Sequence, residues 1–155
     1  MDFVKQMQQQ ALVLLKNENN ILPLDKRQIK KVLVTGPLAD EDNFMTSRYG
    51  PNGLETVTVL AGLRNYLKGI AEVDYAKGCD IVDAGWPATE ILPAPMSEQE
   101  KQGIAEAVAK AGESDVIIAV LGEDEYRTGE SRSRTSLDLP GRQQQLLEAL
   151  HVTCL

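Results

Sequence analysis

The sequence predicts an α/β fold, a three-layer sandwich with helices on both faces of a mainly parallel sheet. Three observations carry that prediction. Helix-like and strand-like stretches alternate from one end of the chain to the other, and such alternation implies right-handed βαβ crossovers. Apolar runs at residues 31–35, 72–76 and 115–121 each have strand length, and each is followed by a loop and then a helix-like stretch. The third run, within "SDVIIAVLG", is almost continuously apolar, as expected of a strand covered on both faces.

The elements follow in order. Residues 3–15, "FVKQMQQQALVLL", place Val4, Met7, Ala11, Leu14 and Leu15 at helical spacing, and the asparagines of "KNENN" suit a helix end. "KKVLVTGP" is a β-branched run stopped by Gly36-Pro37, the form of a buried strand entering a sharp turn. Val59, Leu60, Leu63 and Leu67 share a helical register within residues 57–69, with Gly69 at the expected stop. "AEVDYAKGC" centres strand formers on Val73 and Tyr75. Residues 80–96 contain three prolines and Trp86, and read as a long irregular loop. Trp86 is read as pinning that loop to the core in preference to stacking on a ligand. "SEQE" at 97–100 has the spacing of a capping box, ahead of a helix with Ile104, Val108 and Ala111 inside and a stop near Gly112. The last helix is expected over residues 139–150, with Pro140 near its first turn.

Composition narrows the function. At 155 residues and 43% hydrophobic content the chain suits one domain with a real core. The formal charge of -7 and the absence of a lysine and arginine block argue against a nucleic-acid or anionic-membrane surface. No apolar stretch approaches the roughly 20 residues that span a bilayer, and residues 1–10 do not read as a signal segment. Cys79 and Cys154 lie far apart and outside any ligand spacing, so neither a disulfide framework nor a zinc site is expected. His151 is the single histidine, which excludes a multi-histidine metal site within this chain.

In a parallel sheet, ligands meet the loops at the carboxyl ends of the strands. "GPLAD" leaves the first strand at that edge, and the charge-rich "GEDEYRTGESRSRTSLDLPG" (122–141) leaves the third, so the two loops are expected to be neighbours. The first turn has neither GxGxxG nor GxxxxGK[ST], so no phosphate cradle is visible.

Five blocks, "QQALVLLKNENNILPL", "VLVTGPLAD", "SRYGPN" with "VTVLAGL", "YAKGCD" and "DVIIAVLGEDEYRTGESRSRTSLDLPGRQQQLLEAL", resemble in order the second domain of glycoside hydrolase family 3 enzymes. The resemblance implies a six-stranded α/β sandwich, of which residues 1–155 would form a partial domain cut short after His151. It implies a (β/α)8-like barrel domain, absent from this chain, as the partner that carries the nucleophilic aspartate and most of the sugar pocket. The parent enzyme would be a retaining exo-β-glycosidase that releases terminal glucose or xylose without metal or organic cofactor, in the periplasm or secreted. The "SRYGP" block leans toward xylosidase-like members.

Within the same frame, Glu130 resembles the family's acid/base glutamate, because "Glu-x-x-x-Arg" from Glu130 to Arg134 matches the acid-bearing loop. Glu123 and Glu125 are its rivals. Arg134 is read as orienting that loop through a carboxylate contact, and Glu123 as a second loop-orienting or substrate-binding group. Asp40 is expected to cap a turn, with a barrel contact as the other reading. Arg48 and Tyr49 are placed either at the barrel interface or in local packing. A non-catalytic module that binds sugar or the barrel domain stands as the other function class.

Overall fold

Three strands, β1 (Lys31–Thr35), β2 (Glu72–Ala76) and β3 (Val116–Ala119), pair in parallel in the order β2-β1-β3. The computed structural model describes residues 2–42, 55–82, 94–132, 134 and 136–153. The register sets Val32 beside Val73 on one side and Val116 on the other, so the middle strand is hydrogen-bonded along both edges. Asp115, just ahead of β3, fixes that register at its start by accepting from the backbone N–H groups of Lys30 and Lys31 at 2.7 and 2.9 Å.

Side chains alternate across a strand, and β1 uses the alternation to feed two cores. Leu33 packs with Ile104, Ala107 and Ala111 of α3 (Glu98–Ala111) and with Leu146 and Leu150 of α4 (Gln143–Thr153). Val32 and Val34 point the other way, onto Leu60 of α2 (Val59–Tyr66) and Leu67 just beyond it. Helices therefore cover both faces of a parallel sheet, which is the predicted three-layer sandwich.

Local chemistry fixes the helix starts. The Thr58 hydroxyl accepts from Ala61 N at 3.1 Å and donates to Asp40 at 2.8 Å, so Asp40 steadies the N-cap of α2. Ser97 and Glu100 form the expected capping box of α3, with Glu100 N donating to Ser97 Oγ at 3.1 Å and Ser97 N donating to Glu100 at 2.6 Å.

Several boundaries differ from expectation: β3 is shorter than the 115–121 run, α2 ends at Tyr66 ahead of Gly69, and the first and last helices differ as well. The first helix, α1, spans Asp2–Ala11 and stops short of Leu12–Leu15, and the apolar side chains Phe3, Val4 and Met7 are exposed. Helical stability comes mainly from packing an apolar face, and this face lies open. Leu12 to Leu15 are exposed as well, and Asn17 then brackets a turn by bonding both the N–H and the carbonyl of Leu22. At the other end, α4 begins at Gln143 and Pro140 lies ahead of it. Between them Gly141 takes φ 65°, and a Cβ there would meet the Ile81 carbonyl oxygen at 2.2 Å. That backbone approach sets where the helix can begin. Arg48, Tyr49, Trp86 and Cys154 lie outside the described residues.

Candidate active-site loop at the carboxyl edge of the sheet

The neighbours β1 and β3 send their chains to opposite faces of the sheet, β1 toward α2 and β3 toward α4. A parallel sheet opens a crevice at such a switch point. The two loops touch at their roots, as the sequence predicted: Leu38 N donates to the Val120 carbonyl at 3.4 Å. Gly36, at φ 107°, permits the approach, because a Cβ there would lie 2.3 Å from that same carbonyl oxygen. A cleft of about 210 Å³ opens beside them, lined by Pro37, Glu41, Lys77, Asp80, Asp124 and Arg127 among others. Lys77 is ion-paired with Asp80, and that hydrogen bond holds its ammonium above the ordinary lysine range against partial burial.

Residues 122–140 form the loop that follows β3, and its first turn is built on Asp124. This side chain is buried, pairs with Arg127 at 2.5 Å and accepts from Tyr126 N at 3.1 Å. Its carbonyl takes the N–H groups of Arg127 and Thr128, so the loop leaves the sheet in a tight hydrogen-bonded knot. A second turn follows at 129–132, closed by Arg132 N donating to Gly129 O at 3.1 Å. Glu130 sits at this turn's second position, exposed, and Ser131 after it takes φ 62°. A positive φ at the third position is the mark of a type II turn.

Glu123 and Arg134 come together. Arg134 Nε lies 3.2 Å from Glu123 Oε1, both side chains being mostly buried, and its Nη2 donates to the Asp138 carbonyl at 2.7 Å. Arg134 thus ties the start of the loop to its end. Glu125 is half-buried beside the Asp124 knot, while Glu130 stands on the outer turn. Among the described residues, no group of three or more His, Cys, Asp or Glu side chains could hold a metal ion.

Three residues that sequence reasoning passed over hold the loop's base. Gln143 is fully buried; its Nε2 donates to Gly122 O at 2.8 Å and Pro140 O at 3.1 Å, and its Oε1 accepts from Gly122 N at 2.8 Å. Arg142 makes a buried ion pair with Glu100 at 2.7 Å and donates to Ala94 O at 2.5 Å. Burial works to raise the Glu100 carboxyl, yet the hydrogen bonds from Arg142 and Ser97 and the nearby guanidinium charge hold it below the usual range. Asp124 is the third, and the preference of aspartate for turn starts was the one signal available for it.

A parallel α/β domain with a braced, charged loop at its switch point is built to present side chains across the carboxyl edge of the sheet. This chain belongs to glycoside hydrolase family 3, since residues 12–154 match the glycosyl hydrolase family 3 C-terminal domain. It is 35% identical to a β-xylosidase of Formosa agariphila over 98% of its own length and 20% of that protein's. It is 36% identical to a periplasmic β-glucosidase of Salmonella typhimurium over 96% of its length and 20% of that protein's. The structure superposes on a β-glucosidase of Erythrobacter marinus with a TM-score of 0.76 and 34% identity, covering 97% of this chain and 22% of the other. The chain thus spans about one fifth of the length of these relatives.

Proposed function

We propose that this chain is the α/β domain of a retaining exo-β-glycosidase acting on terminal β-linked glucose or xylose, and that its 122–140 loop supplies Glu130 as the general acid/base. The observation that carries the reading is the loop itself: a carboxylate on the outer turn of a segment tied down at both ends, at the sheet's carboxyl edge. Retaining hydrolysis needs two carboxyl groups about 5 to 5.5 Å apart, one as nucleophile and one to protonate the leaving oxygen and then activate water. The second carboxylate, and most of the sugar contacts, belong to a barrel domain outside this chain. A barrel closing over an exposed carboxylate supplies both desolvation and a neighbouring negative charge, the two influences that ready a carboxylic acid for proton donation. Tyr126 and Leu137 stand exposed on the same loop and give it apolar surface with which to meet such a domain. The chain by itself acts as a non-catalytic module, and the purified 155 residues are expected to leave aryl β-glucosides and aryl β-xylosides uncleaved.

The test uses the full-length enzyme that carries this domain. Removing a general acid slows substrates with poor leaving groups by ~100-fold to 10,000-fold and spares activated ones in the glycosylation step. Glu130→Ala should cripple hydrolysis of an alkyl glycoside far more than that of a dinitrophenyl glycoside, with azide restoring turnover as the glycosyl azide. If Glu123→Ala or Glu125→Ala shows that dependence and Glu130→Ala does not, the role passes to that neighbour.

A further inference from the structure

We infer that Gln143 is a positioning residue, a clamp on the neck of the 122–140 loop that holds Glu130 in register for proton transfer. The inference rests on the reading of Glu130 as the acid and extends it to a residue in the first turn of a helix. Loop ends are ordinarily held by backbone pairing, but here, inside the Arg134 tie, a side-chain amide joins the two residues at the neck. It satisfies both the N–H and the C=O of Gly122 at one end and the carbonyl of Pro140 at the other, three bonds of 2.8, 2.8 and 3.1 Å. The amide can do this because a primary carboxamide carries two donors and an acceptor in one plane.

Its surroundings keep the amide from turning away. Gln143 is fully buried, and the adjacent Arg142 is fixed by Glu100 and by Ala94 O, so the backbone that carries the clamp cannot shift readily. The strand side is equally constrained: Gly122 lies two residues after Val120, whose carbonyl lies against Gly36. Both ends of the loop are therefore fixed to the same side chain, while the turn bearing Glu130 projects to the exposed side. Freedom gained at the neck becomes displacement at the tip, and a displacement of about 1 Å at a reacting group can cost on the order of 100-fold in rate. A residue that merely filled the core would not require this hydrogen-bonding pattern.

Two readouts test the clamp. In the 155-residue chain, Gln143→Met keeps the volume and removes all three bonds. Amide hydrogen exchange of the 123–139 segment should accelerate about tenfold or more relative to the strands, reflecting the loss of these three hydrogen bonds at a local opening. Gln143→Glu keeps an acceptor for Gly122 N but turns the donor toward two carbonyls into another acceptor, and should loosen the same segment further. Equal acceleration of loop and strands in both variants, or an unchanged loop, overturns the clamp. In the full-length enzyme, Gln143→Met should lower kcat/KM for an alkyl glycoside about tenfold more than for a dinitrophenyl glycoside. An equal loss on both substrates overturns the positioning role. Glu130→Ala measured in parallel separates the two failures: no leaving-group dependence there removes the acid assignment, whereas dependence there without any in Gln143→Met removes the clamp alone.

Discussion

Arg142→Met is expected to destabilise the domain by about 3 kcal/mol at pH 7, with a penalty that shrinks in acid. Arg142 and Glu100 lie 2.7 Å apart with side chains only 6% and 5% exposed, so neither charge is relieved by water. Deleting one partner of such a pair costs about 3–5 kcal/mol, because the other is left charged in a dry site. The lower end applies here, since Ser97 N still donates to the Glu100 carboxylate at 2.6 Å. Urea denaturation followed by circular dichroism measures the loss, and for a domain of this size about 3 kcal/mol lowers Tm by ~6–12 °C. The pH dependence separates a charge effect from a packing effect. In the parent chain the folded Glu100 pKa lies below its ordinary value of 4.5, so its contribution is present above that value and is lost as pH falls through the folded one. Without the guanidinium, burial dominates and the folded pKa rises above the unfolded one. The variant's penalty is then full at neutral pH and relieved as protonation neutralises the carboxyl. The two stabilities should converge between about pH 7 and pH 4. Glu100→Gln added to Arg142→Met should recover part of the loss at pH 7, because glutamine can still complete the capping box. A deficit below about 1 kcal/mol, or one that holds constant from pH 7 to 4, would refute the account of a buried charge left alone.

Two further perturbations probe the backbone that frames the loop. Gly36→Ala should cost more than about 3 kcal/mol, because its Cβ would meet the Val120 carbonyl oxygen at 2.3 Å, whereas Gly69→Ala, also at positive φ but with nothing within 4 Å, should cost only about 1–2 kcal/mol. Urea midpoints of the two variants that coincide would show that φ alone, and not the close approach, sets the penalty at Gly36. Thr58→Ala removes the N-cap bond to Ala61 and the contact with Asp40, and should lower stability by about 1 kcal/mol, with Thr58→Ser restoring most of it. Thermal unfolding checks this, and an unchanged Tm in Thr58→Ala would mean that α2 draws no stability from its cap.

What the sequence made legible was whatever depends on neighbours in the chain. The strand at Lys31–Thr35 is a β-branched run closed by Gly-Pro, and the Ser97–Glu100 capping box is a pattern over four residues; both stand where their spacing put them. α1 was over-extended because periodicity records which residues could share a face and says nothing of whether anything lies against it. Within the loop, charge and glycine content marked the segment, but no spacing marked the turn at 129–132 that carries Glu130. Arg134 could be read as an anchor because it lies in the loop itself, whereas the anchoring of the loop's neck was not legible. Gln143 reaches Gly122 across 21 residues and Arg142 reaches Glu100 across 42, and neither contact leaves a periodic trace. A glutamine in "GRQQQLL" looks like any solvated helix residue until the fold brings a strand end against it.

The order in which the sheet's members leave the ribosome gives the middle strand an unusual history. Among the described strands β1 is made before β2 and β3, yet Lys31 pairs with Glu72 and Val32 with Val116, so its two partners arrive successively and late. At about 5–20 residues per second, roughly eighty residues of synthesis separate β1 from β3 by on the order of ten seconds. The face that holds Leu60 and Leu67 can begin to close against β1 once α2 and β2 have emerged. Leu33 must wait for α3 and then for Leu146 and Leu150, near the end of this chain. A nascent chain paused between the second and third strands would therefore carry one partly closed layer, still short of Val116, Ile118 and Val120, and one bare one. The bare side of the 31–35 segment is what a co-translational chaperone would find to hold.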